Sequence, residues 1–121
     1  MPAASHPLAL PRGRRLRLPG EFSRVRNIGQ RLIVGCLILN WKEAPSTRLG
    51  VVTSRRIGSA VERNRARRLL RECFRPIQVK LNKPVEMVLV ARKSINGRKM
   101  VQVEVDFLTA LNRAGLLQGK E

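Results

Sequence analysis

Three stretches of the chain are apolar enough to be strands, and they alternate with stretches whose apolar residues recur at helical intervals. Residues 32–41, LIVGCLILNW, form a nearly continuous apolar run with β-branched members, the pattern of a strand buried on both faces. Residues 47–54, TRLGVVTS, predict a second strand after a turn at 42–46, and residues 85–91, VEMVLVA, predict a third. A short helix is expected over 19–28: Pro19 suits a first turn, Phe22 and Val25 lie three apart, and Gly29 can end it. Ser59 followed by Glu62 fits a capping box, so a long helix should start near Ser59 and weaken near Arg75, because Pro76 disfavours helical geometry in the residue before it. Residues 93–99 form a polar loop with a turn at Asn96 and Gly97. In 101–114 the segment VQVEV alternates like a strand, but Val101, Val105, Leu108 and Leu111 also fit helical spacing. Arg113 in the last turn and Gly115 just beyond it favour the helix, with Glu104 and Asp106 in its first turn. The expected order is α-β-β-α-β-α, an α+β chain folded as a small α/β sandwich.

The helix after Ser59 carries two unlike faces. Drawn at 100° per residue, Ala66, Leu69, Leu70, Cys73 and Ile77 fall in one arc. Asn64, Arg67, Arg68, Arg71 and Arg75 fall in an arc of similar width on the opposite side. Residues 55–75 hold eight arginines and two acids, so the second arc is nearly pure arginine. Arginines at i, i+4 repel by a few tenths of a kcal/mol, a local cost that turns favourable when each replaces counterions on a phosphate. A solvated helix face would mix the signs. Arg55 and Arg56 extend the cluster to the end of the preceding strand, and Glu72 is placed to orient Arg68 or Arg75.

Composition sharpens this picture. The chain has 121 residues, enough for one domain, and 43% are hydrophobic, enough for a modest core. Its net charge is +17, from 25 Lys and Arg against 8 acids, and 19 of the 25 are arginine. So strong a field favours RNA, DNA or an anionic membrane as partner, and the arginine bias leans toward phosphate, which a guanidinium can bond bidentately. Residues 1–17 are expected to form a basic, disordered N-terminal tail, whose segment 12–17 would order only on RNA, and residues 18–118 a single RNA-binding domain. The start is not a secretory signal, and no apolar stretch approaches the ~20 residues of a membrane span. A cytoplasmic protein with no membrane partner and no obligate protein partner is expected. Cys36 and Cys73 lie in apolar runs without ligand spacing and read as reduced core thiols. The only histidine is His6, and the eight acids form no cluster of the two-metal nuclease kind, so no catalytic or metal-ligating residue is expected in the protein.

The order of residues in the basic region resembles a known family. Arg48-Leu49-Gly50, then Thr53-Ser54-Arg55-Arg56-Ile57-Gly58, Ala60-Val61, Arg63-Asn64-Arg65, Arg67-Arg68 and Leu70-Arg71-Glu72 are similar to the motifs of the bacterial ribonuclease P protein subunit. The resemblance implies an α/β sandwich with a left-handed β-α-β crossover, an exception to the usual right-handed rule. It also implies a subunit of a ribonucleoprotein endoribonuclease that removes the 5′ leader of precursor tRNA. The catalytic component would be an RNA that holds most of the Mg²⁺. Its partners would be that RNA and the precursor tRNA. RNA contacts are implied at Ser54, Arg55, Arg56, Arg63, Asn64, Arg65, Arg67 and Arg68, and the helix face adds Arg71 and Arg75. A cleft between the first helix, the sheet and the central helix would take the leader, with Phe22 as its aromatic; a core phenylalanine is the competing account of Phe22. Arg26 and Asn40 stand where members of the family often carry aromatics, so a phosphate contact at Arg26 would replace part of the stacking. A ribosomal-type RNA binder explains the charge equally well but not the ordered motifs. A DNA reader would place more Asn or Gln among the arginines.

Overall fold

The computed structural model describes residues 15–118. Seven main elements run in the order α1 (Pro19–Ile28), β1 (Gln30–Val34), β2 (Leu37–Glu43), β3 (Arg48–Val52), α2 (Ala60–Ile77), β4 (Val85–Ala91) and α3 (Met100–Ala114). The sheet order is β1-β2-β4-β3. Neighbours are antiparallel except β3 and β4, which are parallel and joined through α2. The α+β class stands, but the element order is α-β-β-β-α-β-α.

The extra strand corrects the reading of residues 32–41 as one strand. Gly35 has φ +54°, a left-handed conformation that glycine adopts without strain, and the chain reverses there so that Val34 pairs with Leu37. The Cys36 amide donates to Asp106 Oδ2 at 3.0 Å, and a Cβ on Gly35 would lie 2.1 Å from that oxygen. A carboxylate from α3 therefore holds the turn. Because α3 begins at Met100, Glu104 and Asp106 sit beyond its first turn, where they were not expected.

Alternate strand residues build two cores of unequal size. Leu37, Leu39, Trp41, Leu49, Val85, Met87, Leu89 and Ala91 face α2 and α3 in the large core. On the opposite face Val88 joins Leu16 and Val25, with Phe22, Val52 and Val90 packed against them, beneath α1. Residues 1–14 of the expected tail lie outside the described residues. Its last three do not trail: the Leu16 amide donates to the Leu49 carbonyl at 2.9 Å, and Leu16 is buried.

The Ser59–Glu62 capping box forms in both directions, at 2.9 and 3.2 Å. α2 continues through Pro76 to Ile77, whose buried side chain anchors the last turn. Its inward face is Ala66, Leu70, Cys73, Phe74 and Ile77; Leu69, at the edge of the arc, is only partly buried. α3 is a helix as expected, but turned. Val103, Phe107, Ala110 and Leu111 are buried, whereas Val101, Val105 and Leu108 are exposed. Two apolar sets compete for the inside of this helix. The set that buries the Phe107 ring removes more apolar area from water. Cys36 and Cys73 are both buried and unpaired, and burial raises their thiols to about 11 and about 12.

Candidate nucleic-acid interface

The outward face of α2 is a basin of like charges. Arg15, Asn64, Arg67, Arg68, Arg71, Glu72 and Arg75 line one depression of about 400 Å³. Arg67 is held in place: it donates to Asn64 Oδ1 at 2.6 Å and to Thr53 Oγ1 at 2.7 Å. Burial, and then the charges of Arg15, Arg67 and Arg75, lower the Arg71 pKa. Arg75 pairs with Glu72 at 3.1 Å, yet its Nε is buried with no hydrogen-bond acceptor. A buried donor without an acceptor and a cation ringed by cations are both relieved by an incoming oxyanion.

Arg63 and Arg65 flank this face and are already used. Arg63 donates to the Gly58 carbonyl at 2.7 Å, and Arg65 donates to the Arg98 carbonyl. They tie α2 to the loops after β3 and β4, so their first task is positioning. The expected motif thus divides into outward Asn64, Arg67 and Arg68 and inward-tied Arg63 and Arg65.

A second surface lies on the α1 side of the sheet, and the strand register lays it out in rows. Ile33, Ile38, Val90 and Val52 form one row across all four strands. The next row, Arg31, Asn40, Val88 and Gly50, runs beside and beneath α1. The third contains Lys42, Glu86 and Arg48. Ile38 and Val90 floor an open depression of about 560 Å³ whose rim includes Ser54, Arg56, Arg92 and Lys93. Because β3 and β4 are parallel, Ser54–Arg56 and Arg92–Lys93 emerge at the same end, the carboxyl end where open α/β sheets bind ligands. The Asn96 amide donates to the Ile57 carbonyl at 2.6 Å and clips the two loops together. Apolar floor and cationic rim suit an unstacked base with its phosphate. Sequence reasoning found Ser54 and Arg56 here and missed Arg92 and Lys93. Their signal was available in the pair of cations that directly follows the third predicted strand.

α1 is seated on β3 at two positions of one face, Arg48 and Gly50. Arg48 donates to Glu21 on α1 at 2.8 Å and to Glu86 on β4, which lies 3.7 Å from Lys42 on β2. Glu21 also accepts the Arg17 and Leu18 amides at 2.9 and 3.1 Å. These amide bonds, followed by Arg48, lower its pKa to about 2. Phe22 lies over Gly50, where a Cβ would come within 2.5 Å of its ring. The ring packs against the small core of Leu16, Val25 and Val88, so its inner face is occupied by the sheet side of the fold. Arg26, on the next turn of α1, lines a separate small depression with Ser23, Asn27, Arg31 and Asn40. Arg55 is exposed on the short helical turn after β3.

Among the described residues, no group of three or more His, Cys, Asp or Glu could hold a metal ion. The carboxylates of Glu21, Glu43, Glu72, Glu86 and Asp106 are engaged with Arg or Lys. This donor set does not fit a resident Mg²⁺, and no chemical step is assigned to one in the protein. Among the described residues no helix is long and apolar enough to cross a membrane.

Fold and surface together define a class: a small basic α+β domain with an arginine basin on its central helix and a cationic shelf at one end of its sheet. The family model described as Ribonuclease P matches residues 10–115. The chain is 36% identical over 115 residues to the ribonuclease P protein component of Roseiflexus sp. (strain RS-1), covering 91% of this chain and 93% of that one. It is 31% identical over 107 residues to the component from Clostridium acetobutylicum, covering 85% and 90%. The solved ribonuclease P protein from Thermotoga maritima superposes with a TM-score of 0.74 at 28% identity, covering 82% of this chain and 96% of that one. The chain belongs to the ribonuclease P protein family, and its role is that of a protein component in tRNA 5′ processing.

Proposed function

We propose that this protein binds the catalytic RNA of ribonuclease P through the α2 basin and the 5′ leader of precursor tRNA along the sheet shelf. In doing so it promotes Mg²⁺-dependent endonucleolytic removal of the leader in the cytoplasm. The observation that carries the proposal is the basin, where Arg67, Arg68, Arg71 and Arg75 share one depression with a single acid among them. Each arginine that meets a phosphate releases counterions, and the repulsion stored around Arg71 is relieved at the same moment. Arg67 arrives preorganised by Thr53 and Asn64, so little side-chain entropy is lost on binding.

The shelf adds substrate discrimination. Ile38 and Val90 offer an apolar surface to leader bases, while Arg56, Arg92 and Lys93 neutralise the strand that carries them. Mg²⁺, held mainly by the RNA, supplies the activation of water for phosphodiester hydrolysis. The protein's residues bind, orient and screen charge.

A binding comparison tests the proposal. The protein should bind a bacterial ribonuclease P RNA more tightly than an unrelated structured RNA of equal length, and Arg71→Ala with Arg75→Ala should erase the preference. Equal affinity for both RNAs would reduce the basin to a nonspecific polyanion surface.

A further inference from the structure

Two short turns carry the cations of the shelf rim. Arg55–Ile57 follows β3, and Lys93–Ile95 follows β4. Each is closed by a local amide bond, from Ile57 to the Ser54 carbonyl at 3.0 Å and from Ile95 to the Arg92 carbonyl at 2.9 Å. Each is pinned from below by one buried isoleucine, Ile57 or Ile95, in the large core. Arg56, Arg92 and Lys93 ride on the outside and are exposed.

The strand ladder does not set the gap between these turns. It ends at Val52 and Val90, and the rim cations lie beyond it. Like charges on the two turns push them apart. Asn96 opposes that push: its Nδ2 donates to the Ile57 carbonyl at 2.6 Å and ties one turn to the other. Arg65 on α2 holds the same loop farther along, at the Arg98 carbonyl. Arg92 is braced separately, by a bond to the Gly35 carbonyl at 3.0 Å. Lys93 forms no ion pair among the described residues, so its place depends on the turn that carries it. The kind of tie matters. An ion pair would close the gap too, but it would neutralise a rim cation and set a carboxylate in front of an incoming phosphate. No carboxylate lines the shelf, and a neutral amide closes the gap while leaving the rim charge whole.

We propose that Asn96 is a positioning residue for the reaction: it spaces Arg56 and Lys93 so that both meet the backbone of one RNA strand crossing Ile38 and Val90. The inference rests on the assignment of the shelf to the 5′ leader. Asn96 itself touches no substrate, and its effect passes through the cations on the two turns it joins.

The test uses the holoenzyme assembled from the full chain and a bacterial ribonuclease P RNA. Affinities are measured for precursor tRNA and for the matching leaderless tRNA, and their ratio isolates the leader. Asn96→Ala removes no charge. It should nonetheless lower that ratio about 3- to 10-fold and reduce the salt slope of precursor binding by about 0.7, the value for one single-strand phosphate. Lys93→Gln should cause a similar loss, and adding Asn96→Ala to Lys93→Gln should lower the ratio no further, because the two act through one contact. Affinity for the leaderless tRNA and the thermal midpoint of the protein should stay near the parent values. A lower ratio at unchanged salt slope, or an undiminished loss in the Lys93→Gln background, would overturn the proposal, since Asn96 would then act by another route. Equal losses for both tRNAs would overturn it as well, because a loosened fold gives that result. A ratio equal to the parent's would mean that the turns keep their spacing without the clip. No leader effect in the parent would instead remove the shelf assignment, and the role of Asn96 with it.

Discussion

Replacing Gly50 by alanine separates two accounts of Phe22. In the structure the new Cβ would lie 2.5 Å from Cε2, 2.8 Å from Cζ and 3.1 Å from Cδ2 of the ring. Carbon atoms make contact at about 3.5–4 Å, so the ring has to withdraw by roughly 1 Å. It is packed against the small core of Leu16, Val25 and Val88, and α1 carries it beside the Glu21–Arg48 pair, so withdrawal disturbs the seat of the whole helix. Overpacking of this kind costs about 1–3 kcal/mol. Gly50 does not have a positive φ, so its backbone accepts alanine. With the ring swung away to await an RNA base, the same substitution would stabilise the fold by about 0.4–1 kcal/mol, because it restricts the unfolded chain. The sign therefore decides. Urea unfolding of Gly50→Ala should show a lower midpoint at unchanged slope. Adding Phe22→Ala should recover about 1 kcal/mol of that loss as a favourable coupling. A stabilised Gly50→Ala, or a double variant with no coupling, would refute the packed position of Phe22.

Three further outcomes follow from the same geometry. Arg71→Ala should reduce the salt slope of RNA binding by about one phosphate and leave thermal stability equal or slightly higher, since the residue's neighbours are cations; loss of folding would mean that it faces inward. Leu70→Ala, a fully buried truncation, should cost about 2–5 kcal/mol in denaturant unfolding, and Leu69→Ala distinctly less because that side chain is only partly covered. Glu21 has a folded pKa near 2 against an ordinary 4.5, so its contribution to stability is complete above pH 4.5 and disappears as pH falls toward 2. Unfolding midpoints between pH 5 and 2.5 should therefore fall less steeply in Glu21→Gln than in the parent.

Local signals were legible in the chain and long-range ones were not. The Ser59–Glu62 pair and the apolar spacing of Ala66, Leu70 and Cys73 placed α2 and aimed its arginines correctly, because capping and periodicity act within a few residues. The hairpin at Gly35 was hidden because its turn carries no polar punctuation. The residue that fixes it, Asp106, lies seventy positions away. The turned face of α3 shows the same limit: two apolar sets at helical spacing are equivalent until the Phe107 ring finds its place under the sheet. Arg92 and Lys93 joined Ser54 and Arg56 only once β3 and β4 proved parallel neighbours. The hollow at Arg26 and Asn40 needed the β1–β2 register, which a single strand over 32–41 could not provide.

The central claim is that this protein makes an RNA enzyme effective on precursor tRNA. The most direct measurement is cleavage of precursor tRNA by a bacterial ribonuclease P RNA at low Mg²⁺, with and without the protein. The account predicts little cleavage by the RNA alone, strong stimulation on adding the protein, correct mature 5′ ends, and none from the protein by itself. Tight binding to the RNA without any stimulation would contradict the account and leave a structural RNA-binding protein. Cleavage by the protein alone would overturn the assignment of the chemistry to the RNA.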